Sequence, residues 1–328
     1  MNNKIWQNLH NKFPGLGRLF HGLSVFKGHT PVSPRFILLF LTYKCNLNCP
    51  FCIQSREESA EHPDMTLDDA RLIAANISRS FHSKPRIHLF GGEPTVNKDF
   101  LKILKLFSDS GFHLSLTTNG LKVKEIIKDL AACRGLKEIN LSLNTLTFDS
   151  YLSTIQLLRK HFAGRKVAIN LNCPVNASNQ GLLAGIAARF RDSGADLVSF
   201  QHALFIEPGK NDLDAARIAT QVEMINLSRK PIPVLFSPNI LSRDIKSYYR
   251  DPAFPVVNKC IVSWLGLFIH PDGDVFTCVG MDVKMGNAKK EELKGIWNSV
   301  RYKKFRHAVI KDGVSHPKCQ RCCHRQYY

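Results

Sequence analysis

Tyr43-Lys44-Cys45-Asn46-Leu47-Asn48-Cys49-Pro50-Phe51-Cys52 places three thiols on one short loop, directly behind a run from Phe36 to Thr42 that is apolar up to its last residue. Such a run reads as a strand covered on both faces, as in a parallel sheet. The loop at the C-terminal end of a parallel strand is where α/β barrels place their chemistry. Three thiolates are one fewer than a four-iron cluster normally takes, so one iron would stay open to a substrate or cofactor. A zinc site is the other arrangement the spacing allows, with His62 or His88 supplying the fourth ligand.

Outward from that loop, short apolar runs alternate with helix-like stretches. A helix over Thr66 to Phe81, capped by Asp64 or Thr66, precedes a strand from Arg86 to Phe90. Helices near 98–110, 122–132 and 149–162 then interleave with strands at His113–Thr118, Glu138–Asn144 and Val167–Asn172. A helix at Gln180–Ser193 and a strand from Leu197 to Phe205 complete six units, which predicts a parallel α/β barrel or open sheet. The pattern breaks at Glu207-Pro208-Gly209. A connecting helical segment over 208–255 leads to a cysteine- and turn-rich unit at 256–328, while 1–34 forms a basic leader ahead of the main domain at 35–207.

In the leader, Ile5, Trp6, Leu9 and Phe13 stand at helical spacing among Lys4, Lys12, Arg18 and Lys27. This suits a helix that caps the main domain, or one that touches a membrane surface through residues 1–30. The front of the chain carries no apolar run near the roughly 20 residues that span a bilayer. The chain has 45 basic against 27 acidic side chains, a net charge of +18, which favours anionic partners or else reflects a solvated basic surface. Nucleic acid is not expected, because no stretch interleaves exposed aromatics with Lys or Arg. Ten cysteines in tight groups, with no secretory signal, point to a reducing cytoplasm and thiolate-bound metal.

Cys-x3-Cys-x2-Cys with Phe51 before the last thiol resembles the signature of the radical S-adenosylmethionine superfamily. The resemblance extends to Gly91-Gly92-Glu93-Pro94 after the second strand, which is similar to the family's Gly-Gly-Glu-Pro and implies a loop that holds the methionine amino group. Glycines let backbone approach a ligand closely, and a carboxylate accepts from an ammonium. Thr117-Thr118-Asn119-Gly120 resembles the family's Thr-Asn-Gly turn, or simply ends a strand, with Thr118 and Asn119 as candidate cofactor contacts. Ser142 and Asn144 lie where many relatives have Ser-Leu-Asp, so Asn144 departs from the pattern. Asn170 and Asn172, ending the fifth strand, are candidates for the ribose or the carboxylate of the cofactor, or for ordinary strand-end hydrogen bonding.

Cys260, Cys278, Cys319 and Cys322 would close a cluster completely, and zinc would also satisfy four thiolates. Here Asp272-Gly273 reads as a hairpin turn, and with Gly286-Asn287 and Ile296-Trp297-Asn298-Ser299 it resembles the SPASM and twitch auxiliary-cluster domains. Cys260-x17-Cys278 with Cys319-x2-Cys322 is similar to the single-cluster twitch type known among aminocyclitol dehydrogenases, with Cys323 as an alternative to Cys322.

The resemblance implies a partial (β/α)6 barrel with a small C-terminal iron-sulfur domain and two 4Fe-4S clusters, about eight irons. It also implies S-adenosylmethionine, cleaved to a 5'-deoxyadenosyl radical that abstracts hydrogen, and an electron donor such as flavodoxin or ferredoxin. The expected substrate is a small polar, sugar- or aminocyclitol-like molecule or a peptide. The short leader weakens the peptide version. A lipid or membrane-associated substrate is the alternative, and a non-catalytic metal- or nucleic-acid-binding protein is the reading from another class. Cys173, just behind the fifth strand, is a candidate hydrogen donor to a substrate radical, or a buried core thiol. Cys133 reads as core and His88 as a satisfied interior histidine. Gln201 and His202 are weaker substrate-contact candidates, and Tyr248, Tyr249 and Arg250 read as packing.

Overall fold

β1 (Phe36–Phe40) sits centrally because its neighbours on both sides are parallel strands, β2 (Arg86–Phe90) on one and β8 (Gly266–Ile269) on the other. The computed structural model describes residues 33–52, 62–144, 148–202, 213–228, 232–251, 254, 260–280, 283–311, 319 and 322. Residues 1–32 of the leader, with the membrane contact read from them, and Cys323 lie outside the described residues. From β2 the sheet runs in chain order through β3 (Leu114–Thr118), β4 (Leu136–Ser142), β5 (Ala168–Pro174), β6 (Leu197–Gln201) and β7 (Val234–Ser237), all parallel. With β9 (Asp274–Phe276) and β10 (Gly286–Asn287) the order β10-β9-β8-β1-β2-β3-β4-β5-β6-β7 is linear, an α/β sheet of the partial-barrel kind.

Two features depart from the six-unit expectation. The connecting segment supplies α6 (Ala215–Leu227) and a seventh parallel strand, β7, from its proline-flanked stretch. The C-terminal unit continues the same sheet, with β8 on β1 and antiparallel β9 (Asp274–Phe276) and β10 (Gly286–Asn287) beyond it. Gly266 opens β8 opposite Phe36, where an added Cβ would lie 2.4 Å from the Phe36 ring.

The local chemistry explains the elements between the strands, α1 (Leu67–Ser80), α2 (Phe100–Asp109), α3 (Val123–Ala132), α4 (Phe148–His161) and α5 (Leu183–Arg189). Thr66 is the N-cap of α1. Its hydroxyl accepts from Asp69 N (3.1 Å) while Asp69 Oδ2 accepts from Thr66 N (3.1 Å), a reciprocal capping box. On α2, Ile103, Leu104 and Phe107 fall on one buried face.

Strand alternation sorts the two sheet faces. Ile37, Leu39, Ile87, Leu89, Leu116, Ile139, Leu141, Ile169, Leu171, Val198 and Phe200 are all buried in one apolar core on the helix-covered face. The alternate positions, in register across β2 to β6, are His88, Ser115, Thr117, Glu138, Asn140, Asn170, Asn172, Ser199 and Gln201. The inner face is therefore polar across β3 to β6, and Leu38, Phe40 and Phe90 make its β1–β2 end apolar. Coverage by apolar side chains on both faces describes β1 and its parallel neighbour β8, while strands such as β2 and β5 alternate.

The C-terminal unit is fastened to α1 by one buried side chain. Asn76 Nδ2 donates to Ala288 O and Glu291 O, both at 2.7 Å, and its Oδ1 accepts from Leu293 N at 3.1 Å, at the start of α9 (Leu293–Trp297). Asn76→Ala would leave two carbonyls and an N–H without partners. It should lower stability by about 2–4 kcal/mol at full secondary-structure content, read from urea denaturation.

At the far edge, α7 (Ile245–Arg250) covers β6 and β7 through His202, which is 1% exposed. Its Nδ1 is 2.6 Å from Tyr249 Oη, and its ring stacks on Phe236. His202 is thus a packing residue. Burial pushes its pKa down to about 4, so the folded chain keeps it neutral where the unfolded chain, near 6.5, is protonated. The unfolded state binds more protons between those values, so stability is full above pH ~6.5 and is lost as the pH falls towards 4. Urea midpoints at pH 7 and pH 5 should show that loss, and His202→Phe should flatten it by about 2 kcal/mol.

Candidate functional site

The cysteine loop is held by backbone zippering to the turn after β2. Gly92 N donates to Thr42 O and Glu93 N to Lys44 O, both at 2.9 Å. This contact needs both glycines. A Cβ on Gly91 would sit 2.3 Å from Thr42 O, and one on Gly92 would sit 2.4 Å from Lys44 O and 2.5 Å from Tyr43 O. These are backbone atoms that cannot swing aside, so the glycines serve the approach of the cysteine loop itself, not only that of a ligand.

Glu93, 1% exposed, gathers the neighbouring loops. Its Oε1 accepts from Thr95 N (3.1 Å), Thr95 Oγ1 (2.7 Å) and Thr118 Oγ1 (2.8 Å), and its Oε2 from Asn119 N (2.6 Å). Pro94 begins the single 3-10 turn that Glu93 caps. Oε2 takes only one of these bonds and keeps acceptor capacity for an ammonium. Asn119 reaches back to the cysteine loop, with Nδ2 donating to Asn46 Oδ1 at 2.8 Å. The Thr-Asn-Gly turn is therefore part of the site's frame as well as a strand end.

Three more side chains frame the loop, and sequence reading missed all of them. Thr42 Oγ1 donates to Asp64 Oδ1 (2.6 Å) and accepts from Lys44 N (2.9 Å), so Asp64 braces the loop and Thr66 is the helix cap. Asn97 Nδ2 donates to Leu41 O (2.8 Å) and Met65 O (2.9 Å). Tyr43 Oη lies 2.6 Å from Nδ1 of His270, so the loop touches the β8–β9 hairpin, where His270 stacks on Phe276. Only a polar residue set among apolar ones marks such braces in the sequence.

Cys45 and Cys52 are exposed and Cys49 half-buried. Partial burial pushes the Cys45 and Cys49 thiols up, and the charge of neighbouring thiolates adds to it. Thiols that resist ionising beside one another are stabilised as thiolates by a shared metal centre. The zinc alternative loses its histidines. His88 is committed to Ser115 Oγ (2.7 Å) and Thr117 Oγ1 (2.8 Å), with burial holding its pKa near 4, and His62 lies against the Tyr43 ring. Among the described residues no three Cys, His, Asp or Glu side chains converge on a single ion.

The predicted strand-end residues divide. Asn170 Nδ2 donates to Asn140 Oδ1 (3.2 Å), and Asn140 Nδ2 to Glu138 Oε1 (3.0 Å), a ladder across the inner face. Asn172 lies beside Ser142 and Ser199 on that face. Tyr151 Oη staples the end of β4, donating to Ser142 O (2.7 Å) and accepting from Asn144 N (3.0 Å). Cys173 is not brought to the site. It is 1% exposed on the opposite, helix-covered face and pairs in register with Phe200, and its Sγ accepts from Asn179 Nδ2 at 3.5 Å. Burial pushes its pKa up to about 12. A one-residue step along a strand reverses the face, which moves this thiol out of the hydrogen-donor role.

Cys260, Cys278, Cys319 and Cys322 are half-buried, and Cys322 N donates to Cys319 O at 3.3 Å. Linked to the Cys260 and Cys278 segments are buried polar atoms without partners among the described residues. Ser263 Oγ lies on α8 (Val262–Leu265), three residues beyond Cys260, Thr277 Oγ1 directly before Cys278, and Arg306 Nη2 on α10 (Val300–Lys311). All three can donate, and an array of thiolate and sulfide acceptors is what such a site lacks. The residues present fit an iron-sulfur group at this place.

Comparison with known proteins agrees with the geometry. The model of the radical SAM superfamily matches residues 39–169, and that of SPASM, an iron-sulfur cluster-binding domain, matches 260–323. An AdoMet-dependent heme synthase from Methanosarcina barkeri is 25% identical over 303 residues, covering 84% of this chain and 85% of that protein. A 7,8-dihydro-6-hydroxymethylpterin dimethyltransferase from Methanocaldococcus jannaschii is 37% identical over 110 residues, 33% of this chain and only 21% of that protein. The crystal structure of Streptococcus suis SuiB bound to precursor peptide SuiA superposes with a TM-score of 0.68 at 14% identity, over 98% of this chain and 83% of that one.

The fold and its open cysteine loop define an S-adenosylmethionine-dependent iron-sulfur enzyme, and the chain belongs to the radical SAM superfamily with a C-terminal SPASM domain. Its cofactors are S-adenosylmethionine, a 4Fe-4S cluster and an auxiliary iron-sulfur cluster. Glu93→Gln would turn an amide N–H towards the Asn119 N–H or withdraw the free acceptor. It should cut S-adenosylmethionine affinity at least tenfold and stability by about 1–3 kcal/mol while leaving the iron content unchanged, measured by calorimetric titration, denaturation and iron assay.

Proposed function

We propose that this enzyme abstracts a hydrogen atom from a small, uncharged polar substrate, sugar- or aminocyclitol-like, held against the inner face of the parallel sheet and oxidised or rearranged there. The carrying observation is the composition of that face. Asn140, Asn170, Asn172, Ser142, Ser199 and Gln201 project neutral donors and acceptors, and the one charged pair, Arg86 with Glu138, is satisfied internally at 2.9 Å. A wall of amides and hydroxyls recognises hydroxyl- and amide-rich molecules by hydrogen bonding, and the apolar side chains of that face, Leu38, Phe40 and Phe90, lie apart from it at the β1–β2 end.

The cluster on Cys45, Cys49 and Cys52 and the S-adenosylmethionine beside it supply, when bound, one-electron cleavage and hydrogen-atom abstraction. The chain's own residues do the rest. Glu93 presents Oε2 as an acceptor to the cofactor's amino group, and Asn119 holds the loop that carries Cys45. Asn170 and Asn172, with Ser142, offer contacts for the remainder of the cofactor or for the substrate. The net charge of +18 suits an acidic one-electron carrier such as flavodoxin or ferredoxin, and cysteines grouped at metal-ligand spacing suit a reducing cytoplasm. No helix among the described residues is long and apolar enough to cross a membrane.

The test is formation of 5'-deoxyadenosine by the reconstituted enzyme with fractionated extracts. A polar-metabolite fraction should stimulate it, deuterium from the substrate should enter it, and Asn172→Ala should lower kcat/KM at least tenfold. Stimulation by a lipid or peptide fraction alone would replace this substrate class.

A further inference from the structure

The auxiliary half of the molecule holds a buried cation. Arg306 is 2% exposed. Its Nε donates to Ser263 O and its Nη1 to Trp297 O, both at 2.9 Å. The guanidinium lies over the rings of Trp297 and Tyr302, 4.1 Å from each centroid. Two carbonyls and two π-faces hold this charge, but they do not neutralise it. Burial lowers its pKa only to about 10, so it remains protonated at neutral pH.

The third arm of the fork is open. Nη2 is buried without a partner among the described residues. A buried cationic N–H without an acceptor is costly, so a persistent one implies an anion that the protein side chains do not supply. Two observations place that anion. Ser263, which receives Nε, is three residues past Cys260. Tyr302, which stacks on the guanidinium, donates its Oη to Gly266 O (3.1 Å) at the start of β8, and the antiparallel partner β9 leads directly into Thr277 and Cys278. Ser263 Oγ and Thr277 Oγ1, next to the same two cysteines, are likewise buried donors without acceptors. Three orphaned donors and two thiols thus share one neighbourhood.

We propose that Arg306 is the charge complement of the auxiliary cluster, with Nη2 donating to one of its sulfurs and the buried positive charge raising its reduction potential. The proposal rests on Cys260, Cys278, Cys319 and Cys322 being the ligands of that cluster. A 4Fe-4S group on four thiolates is a net anion, and its potential is set by its charge surroundings, hydrogen bonds to sulfur and solvent exposure. Arg306 acts on all three at once: it adds a cation, it offers a donor, and its stack with Trp297 and Tyr302 closes one side to water. It is a positioning and tuning residue, with no contact to substrate required.

The test uses full-length protein carrying Cys45→Ala, Cys49→Ala and Cys52→Ala, so that the auxiliary cluster is the only one observed, with its potential read by titration monitored by electron paramagnetic resonance. Arg306→Gln should make the cluster harder to reduce by at least tenfold in the reduction equilibrium, about 59 mV for a one-electron couple. Arg306→Lys keeps the charge and gives up the planar stack, and it should hold the potential within threefold of the parent. Loss of iron in Arg306→Gln with retention in Arg306→Lys would also support the cation's role. An unshifted potential in a fully loaded Arg306→Gln protein, or equal shifts or equal iron loss in both variants, would overturn the proposal and leave Arg306 as a packing staple. Absence of any cluster signal in the triple-alanine parent would instead defeat the ligand assignment, a result distinct from a loaded cluster whose potential does not move.

Discussion

Everything at the open end of this sheet depends on two backbone hydrogen bonds, Gly92 N to Thr42 O and Glu93 N to Lys44 O. They pin the start of the cysteine loop to the turn after β2 at a separation no side chain would permit. Glu93 then carries the same anchoring sideways. Its buried carboxylate holds Thr95 in its own turn and Thr118 and Asn119 at the end of β3, and Asn119 returns to Asn46. A loop carrying three exposed or half-buried thiols would otherwise be a flexible surface feature. Here it is framed by one carboxylate and its donors.

The second organising constraint is the continuity of the sheet. Because β8 pairs directly with β1, the strand that precedes the cysteine loop is also the neighbour of the auxiliary unit's first strand. Tyr43 and His270 meet across that junction, while Asn76 ties α1 to the chain between β10 and α9. The two iron-sulfur units are therefore one hydrogen-bonded body among the described residues. That body fixes the relation between the cysteine loop behind β1 and the auxiliary unit beside it.

Much of this was legible in the residues. The thiol triad, the Gly-Gly-Glu-Pro turn and the alternation of strands and helices led to a parallel α/β sheet of the radical SAM type with a SPASM unit, and the comparisons agree. Other features were not legible, for identifiable reasons. The seventh strand is four residues long and flanked by prolines, too short to show a period. Cys173 looked well placed because it follows the Asn170 and Asn172 positions. Its face, though, depends on strand register, and a single residue decides between interior and core. Arg306 carries no local signal, because only tertiary packing lays it against the rings of Trp297 and Tyr302.

The sequence by itself determined the family of chemistry, because the motifs that carry the resemblance are local: three thiols within eight residues and the Gly-Gly-Glu-Pro turn keep their spacing wherever the loops sit. The tertiary structure alone decided what surrounds that chemistry. It set which glycine faces backbone and which strand residue faces the interior. It joined the auxiliary unit to the same sheet and buried a lone cation near its thiols. Each of these depends on contacts between residues tens to hundreds of positions apart, which local spacing does not encode.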